Sequence, residues 1–195
     1  EDPRPGETVI KTVTVANVTN LALTNVRVFD PLVGFRTVIP LLAPGERRVF
    51  TLQLPIPAGT EGATTFRNTV SVFSDQTPLQ QEEVAVRTQA LPDAALTETV
   101  DRAVGRPGET VIFTIQARNT GNVPLLNARL SAPLLGIQLR IAEFDVGASE
   151  TLRVPFVLPD VEEDTVIVSP VTLVSDNGPV REASASVKVL AAEEE

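Results

Sequence analysis

The sequence lacks His, Cys, Met, Trp and Tyr, and Phe, with 8 residues, is its only aromatic residue type. Without His or Cys, the usual zinc, copper, haem and iron–sulfur sites are excluded. Structural disulfides and catalysis by Ser-His-Asp or Cys-His groups are excluded as well. Paired carboxylates could still hydrolyse sugars, but the aromatic platforms that usually support such sites are missing. We therefore expect no enzyme activity, no cofactor and no transition-metal site.

Basic residues are also scarce, since 16 Lys and Arg stand against 25 Asp and Glu, for a formal net charge of -9. The longest basic run is Arg47-Arg48, which is too short to follow a phosphate backbone, so no nucleic-acid partner is expected. No apolar run approaches the length that crosses a bilayer, so we expect no membrane insertion by this segment. The acidic residues 162–164 and 193–195 are interpreted as a solvated loop and a solvated tail.

The strongest pattern in the sequence is an internal repeat. Residues 5–57 align with residues 107–159 without a gap, and 18 of these 53 positions are identical. The offset of 102 then changes to 101, which pairs Ser74-Asp75 with Ser175-Asp176. A repeat of this length indicates two homologous domains. We expect residues 1–91 to form the first and residues 92–195, which include the acidic tail, the second.

Each unit alternates apolar and polar residues in short runs that are typical of β-strands. The expected strands are residues 9–15, 26–29, 49–54, 69–73 and 84–88, with counterparts at 111–117, 128–130, 152–158, 166–174 and 185–189. Turn signals separate them, among them Pro44-Gly45 and Asn177-Gly178. About seven short strands in about 100 residues predict an all-β fold of two tandem immunoglobulin-like antiparallel β-sandwiches.

The opening of each unit resembles the tandem immunoglobulin-like repeats of bacterial surface proteins known as domain of unknown function eleven. The pattern is Pro-Gly-acid-Thr, an alternating strand, Asn-Thr-Gly-Asn at residues 119–122, and a strand that ends in Asp-Pro-Leu at residues 30–32. The first unit has Val18-Thr19 in place of Thr-Gly, and the second has Ala132 in place of the Asp. The resemblance implies an extracellular spacer or stalk without catalytic residues.

The two units differ at their beginnings. Residues 94–104 precede the Pro-Gly-Glu of the second unit and resemble the family's first strand, whereas four residues precede that of the first unit. The first unit is therefore expected to lack its first strand and to expose a sheet edge. In a native subunit, a neighbouring copy or repeat would fill that edge, with residues 187–192 as the expected donor, and a filament would form. In an excised fragment, the edge would be bare.

One group of polar residues has the inward parity of the strands. Lys11 shares its parity with Val9 and Val13, while Asn68 and Glu82 share theirs with neighbouring valines; the counterparts in the second unit are Phe113, Ser169 and Ala183. The set resembles that of Gram-positive adhesins with similar folds, which can join a core Lys to an Asn through a spontaneous isopeptide bond with the help of a buried acid. Such chemistry needs burial, which favours a neutral Lys and a protonated carboxyl that polarises the amide. The candidate residues for such a bond are Lys11, Asn68 and Glu82. Alternatively, Lys11 extends to solvent at a strand end.

Aspartates near predicted turns, such as Asp30, Asp75 and Asp176, could hold Ca²⁺. Side chains that hydrogen-bond their own backbone explain these positions without a metal, and we favour that interpretation. We expect a non-enzymatic structural module of a bacterial cell-surface or fibre-forming protein, located outside the cell. The alternative is an adhesin module that binds a host protein or glycan through loops at one end of a sandwich.

Overall fold

A computed structural model describes residues 2–191, and the chain divides into two compact units, Glu1–Ala90 and Leu91–Glu195. The division falls one residue before the expected boundary. Leu91 lies with the second unit because its backbone N–H donates a hydrogen bond of 2.6 Å to the Asn122 side chain. Among residues 2–191, no helix is long and apolar enough to cross a membrane.

The second unit is built from two facing antiparallel sheets. Its strands are β7 (Ala94–Val100), β8 (Val104–Gly105), β9 (Thr110–Asn119), β10 (Leu125–Ala132), β11 (Ile137–Phe144), β12 (Ser149–Val157), β13 (Thr165–Val174) and β14 (Arg181–Val189). One sheet has the order β12-β9-β7, and the other has the order β11-β10-β13-β14-β8. A single turn of 3-10 helix, Pro133–Leu135, joins β10 to β11.

This strand order is that of an immunoglobulin-like sandwich. The first, second and fifth long strands form one sheet, and the third, fourth, sixth and seventh form the other. The short β8 adds a parallel pairing to the edge of β14. Side chains from both sheets meet in a core that includes Val111, Phe113, Ile115 and Leu173. The all-β immunoglobulin-like fold that the strand rhythm predicts is confirmed.

The first unit repeats this plan with fewer strands. Its strands are β1 (Thr8–Ala16), β2 (Leu23–Asp30), β3 (Phe35–Leu42), β4 (Arg47–Pro55), β5 (Thr65–Phe73) and β6 (Gln80–Arg87). One sheet contains β1 and β4, and the other has the order β3-β2-β5-β6. The pairing of Thr8 with Pro55 has the same register as the pairing of Thr110 with Val157. The repeat in the sequence is thus a repeat of strand register.

The repeated glycines have a specific backbone role. The glycines at three repeated positions all have positive φ, a region in which a side chain would be strained. They are Gly6 and Gly108 (φ 89° and 79°), Gly34 and Gly136 (66° and 65°), and Gly45 and Gly147 (both 76°). Each of these glycines lies in a tight turn, and the positive φ that the turn requires explains why the residue is a glycine.

A repeated asparagine, Asn17 directly after β1 and Asn119 at the end of β9, fixes the loop that follows it. Asn119 is buried, and its amide group donates to the carbonyls of Val123 (2.9 Å) and Phe144 (2.7 Å). Its side-chain oxygen accepts a hydrogen bond from the Gly121 N–H at 3.0 Å. Asn17 makes the corresponding bonds to Leu21 and Leu42 in the first unit. The asparagine side chain therefore supplies hydrogen-bond partners to the backbone of a loop that crosses from one sheet to the other.

Replacing Asn119 by Ala should lower the free energy of unfolding of the second unit by about 2–3 kcal/mol, because buried carbonyls lose their donors. Urea unfolding followed by far-ultraviolet circular dichroism measures the change. Thr120→Ala is the matched control, since this neighbouring side chain is exposed. Equal stability of the two variants would contradict the role assigned to Asn119.

Candidate functional site

The strand β1 is paired along one edge within the described residues. It pairs with β4 over its full length, and no other strand of residues 2–191 joins that sheet. The equivalent strand β9 pairs with β12 on one side and with β7 on the other. Within the described residues, the first unit thus has an open edge at the place where β7 lies in the second unit.

The open edge borders a groove between the two sheets of the first unit. The groove has a volume of about 610 Å³. Its walls are the inward faces of β1, β5 and β6, and it is lined by residues that include Lys11, Val13, Asn68, Val70 and Glu82. The groove is therefore formed by strand faces and lies where a further strand would sit.

Burial of equivalent residues shows what the absent strand would cover. Phe113 and Ile115 on β9 are fully buried, whereas their counterparts Lys11 and Val13 on β1 are only half-buried. On the facing sheet, Val187 is fully buried and its counterpart Val86 is half-buried. In the second unit, β7 packs against both β9 and β14, and it is this strand that removes these side chains from water.

The beginning of β7 is held to the opposite sheet by Arg181 on β14. The Arg181 guanidinium donates to the Ala94 carbonyl at 2.8 Å and forms an ion pair with Asp93. The Ala94 N–H and the Arg181 side chain both bond the Asp93 carboxylate and hold its pKa below the usual value. We name this contact the Asp93–Arg181 clamp. It fixes the register of β7 at its first residue.

Three polar side chains meet at the inner end of the groove in the first unit. Asp30, the last residue of β2, is fully buried and accepts hydrogen bonds at one oxygen, Oδ2, from two donors. One donor is Lys11 Nζ on β1, which also forms an ion pair with Asp30. The other is Asn68 Nδ2 on β5, at 3.0 Å. We call these three residues the Lys11–Asp30–Asn68 cluster.

The cluster is largely buried and incompletely hydrogen-bonded. The Lys11 side chain is 17% exposed, and Asn68 as a residue is 4% exposed. Asp30 Oδ1 and Asn68 Oδ1 are buried and have no hydrogen-bond partner. Unsatisfied buried oxygens are costly, and in folded proteins they are few. The structural role of the cluster alone does not account for them.

The structure brings together two of the three residues that the sequence singles out, and it supplies a different acid. Glu82 lies on β6 with its side chain exposed, opposite Val70, and within residues 2–191 it forms no hydrogen bond or ion pair with Lys11 or Asn68. It is exposed because no strand covers the outer part of β6 in the described residues. The buried acid is Asp30, which sequence reasoning treated as a turn residue. Its alternation with Val26 and Val28 on the buried face of β2 was the available signal.

The second unit has a separate buried acid. Glu98 on β7 accepts a hydrogen bond from the Ser169 hydroxyl at 2.7 Å and another from the Ala185 N–H at 3.2 Å. Burial raises the pKa of the Glu98 carboxyl, and these two hydrogen bonds partly offset the increase. Ser169 is the counterpart of Asn68. The Glu98 carboxyl on β7 therefore lies at the place in the second unit that corresponds to the open groove of the first unit.

The aspartates near turns are held by protein partners. Asp75 bonds the side chain of Asn25 at 2.6 Å, and Asp176 bonds that of Asn127 at 2.5 Å. Asn25 has a positive φ of 50° and Asn127 one of 51°, so each interrupts its strand at the same place in the repeat. Within residues 2–191, His, Cys, Asp and Glu side chains do not gather in groups of three that could hold a metal ion.

Comparisons with known proteins give no family for the chain. No family model and no curated protein matches it. Solved structures that resemble it include the transglutaminase of red sea bream, with 12% identity, a TM-score of 0.35 and all of this chain aligned to 30% of that chain. Another is the full ectodomain (Ig1–Ig3) of mouse nectin-like molecule 4, with 19% identity and a TM-score of 0.36.

The chain spans 64% of the length of the nectin-like ectodomain and less of the transglutaminase. Neither TM-score supports an inference about function, so the fold class depends on the strand order and register described above. The resemblance to domain of unknown function eleven stays a prediction.

The Glu98 carboxyl should make the stability of the second unit depend on pH. Because its pKa is raised in the folded state, the folded chain binds its proton more tightly, so the stability that Glu98 contributes is greatest below the unfolded pKa, near 4.5. Stability should then fall as pH rises through the higher folded pKa. Amide hydrogen exchange of β14, measured across this range, reports the change.

Glu98→Gln keeps the shape of the side chain and removes the titrating group. This variant should be more protected than the parent chain at neutral pH and should lose the slope that Glu98 contributes. Glu143→Gln, on the edge strand β11, is an exposed control that should leave the slope unchanged. An identical pH profile in the parent chain and in Glu98→Gln would refute the assignment.

Proposed function

We propose that the chain is a non-enzymatic structural module of a bacterial cell-surface or fibre-forming protein, located outside the cell. Its first unit accepts an extended strand from a neighbouring module of the same protein. The observation that supports this proposal is the open edge of β1 above a groove that β7 fills in the second unit. An open sheet edge with apolar neighbours is a template for an added strand.

The repeat itself indicates which strand the groove would accept. Since β1 and β9 share their register with β4 and β12, a strand of the β7 type would meet β1 as β7 meets β9. In β7, Ala94, Leu96 and Glu98 point inward, and Ala95 and Thr97 point outward. The expected partner is therefore an extended segment with small, apolar or acidic residues at alternate positions.

The sequence-based candidate for the donor does not fit this role. Residues 187–189 belong to β14, where Val187 and Val189 are fully buried and paired with β13 and β8. Releasing them would open the core of the second unit. Ala191 is not in a strand, and Ala192 lies outside the described residues. The burial of Val187 and Val189 therefore weighs against donation by residues 187–192, and a strand from another module is proposed instead.

The adhesin alternative predicts a concave surface made by loops at one end of a sandwich. The groove of the first unit is lined mainly by strand residues, with Val18 and Thr19 of the β1–β2 loop at one end. This lining favours a bound strand over a ligand held between loops. An adhesive role would instead require a ligand to bind with the open edge already filled.

A chain that carries a copy of residues 92–102 directly before Glu1 tests the proposal. This spacing places the copied strand relative to Pro5 as β7 stands relative to Pro107. The copied Leu96 side chain and the valine side chains of the groove should bury each other. This burial should raise the free energy of unfolding of the first unit by about 2 kcal/mol. Alternate amides of β1 should also become protected from hydrogen exchange.

The matched control exchanges the copied Leu96 and Thr97, so that composition is kept but a polar side chain faces the groove. This control should gain less stability than the correct copy. If the extended chain has the same stability and the same exchange of β1 amides as the parent chain, the edge does not accept a strand and the proposal fails.

A further inference from the structure

We propose that Lys11 and Asn68 are joined by an intramolecular isopeptide bond, and that Asp30 is the catalytic residue that forms it. The inference goes beyond the acceptance of a strand and does not depend on it. It begins with the Lys11–Asp30–Asn68 cluster, in which an amine, a carboxamide and a carboxyl group share one buried contact.

The position of the cluster makes the bond a link between the two sheets. Lys11 lies on β1, which belongs to the sheet with β4, whereas Asp30 and Asn68 lie on neighbouring strands of the other sheet. The side chain of Lys11 crosses the interior to reach them. A bond between Lys11 and Asn68 would therefore tie β1 to β5 through the core of the first unit.

The geometry brings the reacting groups together before any reaction. Lys11 Nζ and Asn68 Nδ2 both lie within hydrogen-bond distance of the same oxygen, Asp30 Oδ2. The fold thus holds the amine beside the carboxamide, and such positioning greatly accelerates a reaction between two groups. The buried location also limits competition from water for the amide carbon.

The unsatisfied oxygens agree with this chemistry. Asn68 Oδ1 is the oxygen on which charge develops when an amine adds to the amide carbon, and it has no partner. Asp30 Oδ1, the other oxygen of the acid, has none either. A carboxyl that carries a proton could donate it to Asn68 Oδ1 and stabilise the addition product.

The reaction is balanced without any further reactant. Lys11 Nζ, once it has given a proton to Asp30, forms a bond to Asn68 Cγ. The bond between Cγ and Nδ2 breaks, and Asp30 returns the proton to the leaving nitrogen, which departs as ammonia. Nζ loses a second proton on becoming an amide N–H; Asp30 accepts this proton and passes it to the departing ammonia, which leaves as ammonium. The product is a secondary amide between residues 11 and 68, and no electrons are exchanged with another molecule.

The second unit shows that the fold does not need a lysine and an acid at the positions of Lys11 and Asp30. Their counterparts are Phe113 and Ala132, and both are fully buried. Burying an ion pair in place of apolar residues usually brings little stability. The polar set in the first unit is therefore better explained by chemistry than by packing.

The choice of lysine supports the same conclusion. The chain has 2 lysines, Lys11 and Lys188, and its other 14 basic residues are arginines, since Lys and Arg together number 16. A guanidinium forms stronger paired contacts with a carboxylate than an ammonium does, but it stays protonated and is not a nucleophile. A buried lysine in an arginine-rich chain is the residue that acyl transfer requires.

The intact mass of the denatured 195-residue chain tests the proposal. Loss of ammonia should lower the mass by about 17 Da from the value that the sequence gives. Tryptic peptides that contain residues 11 and 68 should be recovered as one branched species, and fragmentation should place the link at these residues. A mass equal to the sequence value would overturn the proposal.

Cyclisation of Asn177 before Gly178 would produce the same mass loss, so a variant must separate the two. In Lys11→Arg, the loss of 17 Da, again about the mass of ammonia, should disappear, and the chain should migrate more slowly on a denaturing gel. In Lys188→Arg, the loss should remain. If Lys11→Arg still shows the loss, or if the branched peptide is absent, the bond does not form.

Asp30→Asn tests the assigned catalyst, since it keeps the size of the side chain and removes the acid. This variant should have the mass of the unlinked chain. Circular dichroism shows whether it still folds, and Asp30→Glu should restore at least part of the link. A folded Asp30→Asn chain with the full loss of mass would exclude Asp30 as the catalytic residue.

Discussion

Both units must bury the inward side chains of one strand, which is β1 in the first unit and β9 in the second. These strands lie in the smaller sheet, and each of their inward side chains must be buried against the other sheet. In the second unit, β7 completes the cover, and Phe113 and Ile115 become fully buried. In the first unit, Lys11 and Val13 stay half-buried.

The same position carries opposite chemistry in the two units. At Phe113, an aromatic ring packs on Phe156 and fills the core between the sheets. At Lys11, a charged group of similar length reaches Asp30 and Asn68 across a gap that a strand leaves open. One unit holds its sheets together by apolar packing. The other unit, with less apolar contact available, has an ion pair between Lys11 and Asp30 at this junction.

Much of this arrangement follows from the sequence because its causes are local or periodic. The repeat predicts two sandwiches, and strand parity predicts that Lys11 and Asn68 point inward. The strands β3 and β11 are missed. Pro40 interrupts the pattern in β3, whereas the alternation of Ile137, Leu139 and Ile141 in β11 was an available signal. Pro is tolerated in β3 since an edge strand need not donate on both sides.

The identity of the buried acid could not be obtained in the same way. Glu82 has the correct parity on β6, but parity says nothing about which strand covers a face, and β6 is uncovered. Asp30 stands at the end of β2, next to Pro31, where a turn explains an aspartate equally well. Its role depends on the pairing of β2 with β5, which brings Asp30 and Asn68 together from positions 38 residues apart.

The Asp93–Arg181 clamp has a consequence for how copies of this chain can connect. It fastens β7 at its first residue, so the strand that could serve as a donor is already committed to its own unit. The described residues therefore offer one acceptor and retain no spare donor. In the language of polymer chemistry, they have a valence of one for this kind of contact. The growth of any longer assembly would be governed by whichever module brings the unclamped strand.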